Sequence, residues 1–314
     1  MAEQVQLSLF DFQDDYLPTQ AKKKNNAGKL LKWSYSKRSL LEQCPRRYYY
    51  QYFGGNKRSA RAEPFKAQLA YLKNLTNRYL AAGIILHDLI RKYIGQMQKG
   101  KSISLDYLLQ QAKYRYRQQL GYMQGRKDRA IEIYYGFDNL DELITETENK
   151  LLSATANFVN SPTFDVFRSF FSQPESLVEK NISVKTNLFS SGGKLDFAYL
   201  DNDRLVIVDW KLGGSAGSQD TLQLMSYAYF ASEKLEHVPS KIELNQAHLA
   251  PNLVSSFGIG EHDIFRTKNR IIQDLEKMNR IHDYGQKGIS QAFTPCGQSR
   301  VCQLCPFQEV CPKE

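Results

Sequence analysis

The run Leu205–Trp210 (LVIVDW) constrains this chain more than any other stretch: it is apolar up to Asp209, and Lys211 follows directly. A short apolar run without polar alternation is the pattern of a strand covered on both faces. It therefore predicts a central strand in a sheet with layers on either side. Lys194–Leu200 (KLDFAYL) and Leu177–Leu188 (LVEKNISVKTNL) read as two more strands, with turns at Asn202–Asp203 and Gly192–Gly193.

The rest of the pattern is helical on both sides of this block. Ser34 or Ser36 caps a first helix through Leu40, Leu41, Cys44 and Tyr48. A second carries Ile84, Leu86, Ile90 and Ile94, with His87 turned to the same side, and a long helix covers Leu140–Val159. After the strands come an amphipathic helix from about Gln219 to Lys234, a strand at Ile242–Ala250 and a helix over Glu261–Ile281. Helices, antiparallel strands, crossover helix, strand and helix in that order predict an α/β fold, a mixed central sheet flanked by helices with a helical insertion. The expected organisation is a tail over 1–30 and a single domain over 31–314. Within that domain the helical part spans about 34–171, the core about 175–285, and a cysteine-rich end 294–314.

The chemistry concentrates at one end of the sheet. Asp209 and Lys211 end the apolar strand two residues apart, so they share a face, and Asp196 lies on the neighbouring strand across a tight turn. Two carboxylates and a lysine gathered at a sheet end are accounted for by a hard, oxygen-liganded cation such as Mg²⁺, which neutralises the acids and binds phosphate oxygens. A lone D-x-K at a strand end is ordinarily a solvated turn, and a lone helical histidine is ordinarily a packed core residue; the order and spacing of several elements together carry the signal.

Those elements are Gly193-x-x-Asp196, Val208-Asp209-Trp210-Lys211, His87 in GIILHDLI, Gln223 and Tyr227 in TLQLMSYAYF, and the opening SYSKRSLLEQCPRRYYYQYF. Together they resemble the RecB-like branch of the PD-(D/E)XK nucleases, over Ser34 to Cys311. The resemblance implies a restriction-endonuclease-like core and a Mg²⁺- or Mn²⁺-dependent enzyme hydrolysing phosphodiester bonds in DNA. It implies that His87, Asp196, Asp209 and the carbonyl of Trp210 hold the metal. Lys211 would orient or deprotonate the attacking water, and Gln223 and Tyr227, one helical turn apart, would hold the strand being cut.

Cys302, Cys305 and Cys311 form a C-x2-C-x5-C cluster, with Cys296 six residues before it and Cys44 far away in the first helix. Closely spaced thiols suit zinc or an iron–sulfur cluster, and residue types alone do not choose between them. A distant N-terminal cysteine plus this C-terminal spacing resembles the iron–sulfur staple of AddB-type helicase–nuclease subunits and cluster-bearing CRISPR-associated nucleases. That implies a 4Fe–4S cluster on Cys44, Cys302, Cys305 and Cys311. Cys296 departs from the pattern, and a local zinc knot of the four C-terminal thiols is the alternative. In the tail, Gln6-Leu7-Ser8-Leu9-Phe10 resembles the bacterial sliding-clamp-binding peptide, behind which a lysine-rich stretch would act as a tether.

Composition bounds the alternatives. Forty-two Lys+Arg against 33 Asp+Glu give a net charge of +9, a surplus that favours polyanions such as DNA. No apolar run reaches the roughly 18 residues of a membrane span, and the start lacks the basic and apolar regions of a signal peptide, which predicts a cytoplasmic protein. Arg46, Arg47 and the tyrosines at 48, 49, 50 and 52, with Tyr114–Arg117, interleave bases and rings as single-strand channels do, although many such rings simply pack under helices. With no G-x-x-x-x-G-K-[ST] stretch, any helicase motor is a separate partner. The rival functions are an accessory DNA-binding subunit of a helicase–nuclease complex and a CRISPR-adaptation exonuclease.

Overall fold

The structure is a computed structural model that describes residues 32–54, 63–122, 129–186, 189–214 and 221–312. The tail with Gln6, Leu7, Ser8, Leu9 and Phe10 lies outside the described residues. A short strand β1 (Lys32–Trp33) leads into α1 (Tyr35–Gln43), whose first turn is capped by Ser34 accepting from the Lys37 amide. Here the expected single helix is two. Proline disfavours helical geometry in the residue before it, and Cys44 is extended (φ −160°), ending α1 and capping α2 (Pro45–Tyr52) with its sulfur accepting from the Arg47 amide.

Six further helices precede the main strands: α3 (Pro64–Leu72), α4 (Arg78–Met97), α5 (Leu105–Gln119), α6 (Ile131–Tyr134), α7 (Leu140–Asn160) and α8 (Asp165–Arg168). Strands β2 (Leu177–Lys185), β3 (Ser190–Asp201) and β4 (Arg204–Lys211) form an antiparallel meander. Helix α9 (Leu222–Leu235) then crosses over to β5 (Ile242–His248), which runs parallel to β4. Strand β6 (Leu253–Gly258), α10 (Glu261–Gln286) and α11 (Ser299–Gln303) complete the chain. The sheet order is β1-β3-β4-β5-β6, with β2 also paired to β3.

This is the mixed α/β architecture expected from the sequence, with helices on both faces. β4 is buried from Leu205 to Trp210, as its unbroken apolar run requires. One core, containing Trp33, Ile207 and Phe230, lies against α9 and α10; the other, containing Phe158, Phe197 and Trp210, lies against α4, α5 and α7. The edge strand β6 was not foreseen, since its half-exposed residues lack a clean alternation.

Gly192–Gly193 is a second difference: the pair lies inside β3, where a turn was expected. Both glycines permit close approach. A Cβ on Gly192 would stand 2.9 Å from the Ile182 carbonyl oxygen of β2, and one on Gly193 would stand 2.7 Å from the ring of Tyr227. Among the described residues no helix is long and apolar enough to cross a membrane.

Candidate active site

Strand register builds the centre of the site. Val178 pairs with Phe197 and Lys180 with Leu195, which sets Glu179 opposite Asp196. Phe197 pairs with Val208, so one step on Asp196 stands opposite Asp209, just past the end of that ladder. Glu179, Asp196 and Asp209 thus form one rung across β2, β3 and β4. Like charges directly opposite one another on a sheet are destabilising, so a row of three acids calls for a counter-charge.

The backbone is distorted at this rung. Glu179 has φ +51°, the left-handed region in which a non-glycine residue is strained. Val178 packs against the core under α4, while Ile182 and Val184, of the same parity, belong to the opposite core. Leu195 and Phe197 on β3 are divided in the same way. Both strands therefore change sides here, against the period-two rule of a regular strand.

Helix α4 supplies His87. Its Nδ1 lies 3.3 Å from both Glu179 Oε1 and Asp196 Oδ1. Among the described residues, His87, Glu179 and Asp196 are the one set of three or more such donors near enough to share an ion. Burial by itself would depress the imidazole, but its hydrogen bonds to Asp196 and Glu179 outweigh this and push it up to about 10. Glu179 resists protonation despite burial, because His87 and Lys194 both bond to it. The other oxygen of Asp196 accepts from the Trp210 amide at 3.0 Å.

Asp209 is 1 % exposed and neither carboxylate oxygen accepts a well-formed hydrogen bond. Its Oδ2 is 2.7 Å from Lys211 Nζ. Burial pushes the Asp209 carboxyl up to about 6, opposed by Lys211 and reinforced by Asp196. Such a group lacks a positive partner of sufficient strength. Trp210, between Asp209 and Lys211, points the other way into rings of Phe158, Phe167 and Phe197, with centroids 5.4, 5.7 and 6.2 Å away. That anchor holds the strand end while its two charged neighbours face the cleft side.

Lys211 Nζ also donates to Gln223 Oε1 at 2.9 Å, and Gln223 Nε2 donates to the Tyr227 hydroxyl at 2.9 Å. Burial, with Asp209 and Asp196 close by, pushes the Tyr227 phenol up, so it stays protonated. Gln223, Tyr227, His87 and Asp196 line a cleft of about 280 Å³, whose far wall is Ser34 to Ser36 at the start of α1. His87, Asp196, Asp209, Lys211, Gln223 and Tyr227 are thus brought together. Glu179 and Lys194 were not anticipated. An acid in LVEKN carries no local mark, and only the pairing of β2 with β3 reveals it.

The cysteines meet at the opposite end of α1. Arg46 donates to the Phe293 carbonyl at 2.6 Å and Tyr50 to the Val310 carbonyl at 3.0 Å, docking the C-terminal segment on α2. Cys44 lies near enough to Cys305 and Cys311 that, secondary to burial, its charge helps to raise both thiols. Cys296 Sγ is 3.9 Å from Cys302 Sγ. Tyr48, Tyr49, Tyr50 and Tyr116 are buried in the cores and so are not surfaces for stacking bases, whereas Tyr52 and Tyr114 are exposed.

No curated protein matches the chain. Solved structures that resemble it include two of low sequence identity. The crystal structure of SSO0001 is 12% identical, covering 58% of this chain and 80% of that one, with a TM-score of 0.31. A protein from Eubacterium rectale, provisionally named an exonuclease, is 10% identical, covering 81% of this chain and 93% of that one, with a TM-score of 0.34. The profile of the PD-(D/E)XK nuclease superfamily, by contrast, matches residues 32–312, from β1 through the last cysteine, and so takes in every side chain of the cleft. The chain belongs to that superfamily.

Proposed function

We propose that this protein is a Mg²⁺- or Mn²⁺-dependent deoxyribonuclease of the RecB-like branch, cutting phosphodiester bonds in the cleft beneath α4. The observation that carries this is the rung of three acids with His87 at one end and Lys211 at the other. Its donors are carboxylate oxygens and an imidazole nitrogen, which suit Mg²⁺ or Mn²⁺. The unbonded oxygens of buried Asp209 fit a cation that completes the site. His87, Asp196, Asp209 and the carbonyl of Trp210 would hold it, with Glu179 as a further ligand. Trp210 supports this through its amide, which bonds Asp196; in an extended strand the carbonyl of a residue points the same way as its N–H.

When bound, the metal supplies the charge that lets an anionic phosphate approach three carboxylates. The remaining work falls to side chains. Lys211, held between Asp209 and Gln223, orients the attacking water and steadies charge growing on the phosphate oxygens. Gln223 fixes Lys211, and Tyr227 fixes Gln223. Nuclease assays of Asp209→Ala and Lys211→Ala beside the parent test this reading, and equal activity in all three would sink it.

The cysteines support a 4Fe–4S cluster on Cys44, Cys302, Cys305 and Cys311. A zinc knot needs four sulfurs around one ion, about 3.8 Å apart for Zn–S bonds of about 2.3 Å. Cys296 Sγ and Cys302 Sγ stand at about that distance, and among the described residues no three thiols lie close enough together to share one ion. A cluster binds each thiolate to a different iron, so it accommodates wider spacing. Iron and zinc analysis of anaerobically purified protein distinguishes the two. Residues 31–314 then act as one nuclease domain stapled end to end, and 1–30 as its tether. Through Gln6–Phe10 the tether engages a sliding clamp, placing the enzyme at cytoplasmic DNA under replication or repair, with a helicase as a further partner. Capture of the clamp by the parent but not by a Leu9→Ala, Phe10→Ala variant tests that step.

A further inference from the structure

A cluster held by Cys44, Cys302, Cys305 and Cys311 leaves Cys296 without a task. Yet the Cys296 Sγ lies 3.9 Å from Cys302 Sγ. Both residues are half-buried, whereas Cys44 and Cys305 are buried. Cys302 sits on α11, where its amide donates to the Gln298 carbonyl at 2.9 Å. Cys296 stands in the irregular segment before that helix. Between them Gly297 has φ +62°, a left-handed conformation that glycine adopts without strain. A Cβ at Gly297 would meet nothing within 4 Å, so the segment has room to shift. A disulfide bond is about 2.05 Å long, so closing the gap asks each sulfur to move ~1 Å. Rotation of the two side chains covers that.

We propose that Cys296 is a resolving thiol, which captures Cys302 in a disulfide whenever Cys302 holds no metal. The consequence for the cluster rests on the iron–sulfur reading of Cys302; the disulfide itself does not. Reversible oxidation favours an accessible cysteine with a second thiol beside it, and Cys302 has that neighbour. The oxidant is a low-molecular-weight disulfide such as oxidised glutathione. Cys302, as the thiolate, attacks one of its sulfurs, forming a mixed disulfide and expelling one glutathione thiolate. The Cys296 thiolate then attacks the Cys302 sulfur, the mixed bond breaks, and the second glutathione thiolate leaves. The two protons given up by the protein thiols end on the two glutathiones, so one S–S bond replaces another and the electrons balance. Cys305 and Cys44 are poor rivals, at 9 % and 6 % exposed. Once the bond has closed, Cys44, Cys305 and Cys311 remain where a 4Fe–4S cluster takes four thiolates. Oxidation thereby holds the protein in a cluster-free form that a reductant reopens, and it keeps Cys302 from irreversible oxidation.

The test uses the full-length protein, purified anaerobically, stripped of metal by a ferrous chelator under dithiothreitol, desalted and treated with oxidised glutathione. Remaining thiols are alkylated and mapped by peptide mass spectrometry. The parent, with five cysteines, should lose two alkylatable thiols, both in one bond between Cys296 and Cys302. Its uptake of iron from ferrous salt and sulfide should be lost until dithiothreitol is added. Cys296→Ser should take up as much iron as the parent, form no internal bond and carry glutathione on Cys302. No bond in the parent, a bond to Cys311 or any other cysteine, iron uptake by the oxidised parent without reductant, or loss of iron from Cys296→Ser overturns the proposal. The metal bound by the parent tests the cluster reading separately: zinc in place of iron removes the cluster, while a bond mapped between Cys296 and Cys302 in metal-free protein keeps the resolving thiol.

Discussion

Asp209→Asn should stabilise the metal-free protein at alkaline pH, although it removes one acid of the rung. The Asp209 carboxyl is raised from 3.8 to about 6, chiefly by burial. Its folded value therefore lies above its unfolded one. The group favours folding at pH below about 4, and that contribution is lost as pH rises through about 6. At about pH 8 the buried ionised form costs about 3 kcal/mol relative to the neutral form. Asparagine is nearly isosteric with the neutral carboxyl and removes that cost. For a chain of this size each kcal/mol moves the melting temperature by roughly 2 °C, so in EDTA the variant should melt about 6 °C above the parent. The gap should close toward about pH 5, where the parent carboxyl is protonated. Added Mn²⁺ should raise the melting point of the parent and leave the variant nearly unmoved. Differential scanning calorimetry across pH, with and without metal, reads all three. A variant that melts no higher than the parent in EDTA at alkaline pH would refute the view that Asp209 is a buried charge awaiting a cation.

His87 holds a proton between Asp196 and Glu179 up to about pH 10 in the metal-free protein, and a ligand must release it. Mn²⁺ affinity by titration calorimetry should therefore fall about tenfold per pH unit on acidification, and His87→Asn should flatten that slope. Glu179→Gln leaves Lys194 without its partner and removes one acid of the rung; Mn²⁺ binding should weaken by roughly ten- to a hundredfold, and unchanged binding would exclude Glu179 as a ligand. Gly193→Ala drives a methyl group into the Tyr227 ring, which should cost about 1–3 kcal/mol in chemical denaturation and lower nuclease turnover, with stability but not turnover recovered by adding Tyr227→Ala. Cys44→Ser should lower the iron bound per protein and the melting temperature together, whereas a local zinc knot would be indifferent to it.

Some of this protein was legible from residue order alone. Leu205–Trp210 announced a strand covered on both faces, because an apolar run without alternation leaves no side for water. Asp209 and Lys211 shared a face by the two-residue period of a strand, and Gln223 and Tyr227 by the turn of a helix. These are short-range consequences of backbone geometry. The break between α1 and α2 was also local in cause, since Pro45 makes Cys44 extended, yet apolar spacing masked it.

What stayed hidden depended on contacts between distant segments. Glu179 becomes part of the site only because the register of β2 on β3 sets it opposite Asp196, and register follows from how whole strand faces match across a core. The glycines at 192 and 193 looked like a turn, because nothing in their neighbourhood reveals the β2 backbone against Gly192 or the Tyr227 ring against Gly193. Ile84 looked like one more core residue until packing left it in solvent. The residues of the rung were thus determined by sequence, but their meeting in one row was decided by the tertiary structure, which alone sets the spacing and burial that make three carboxylates a site.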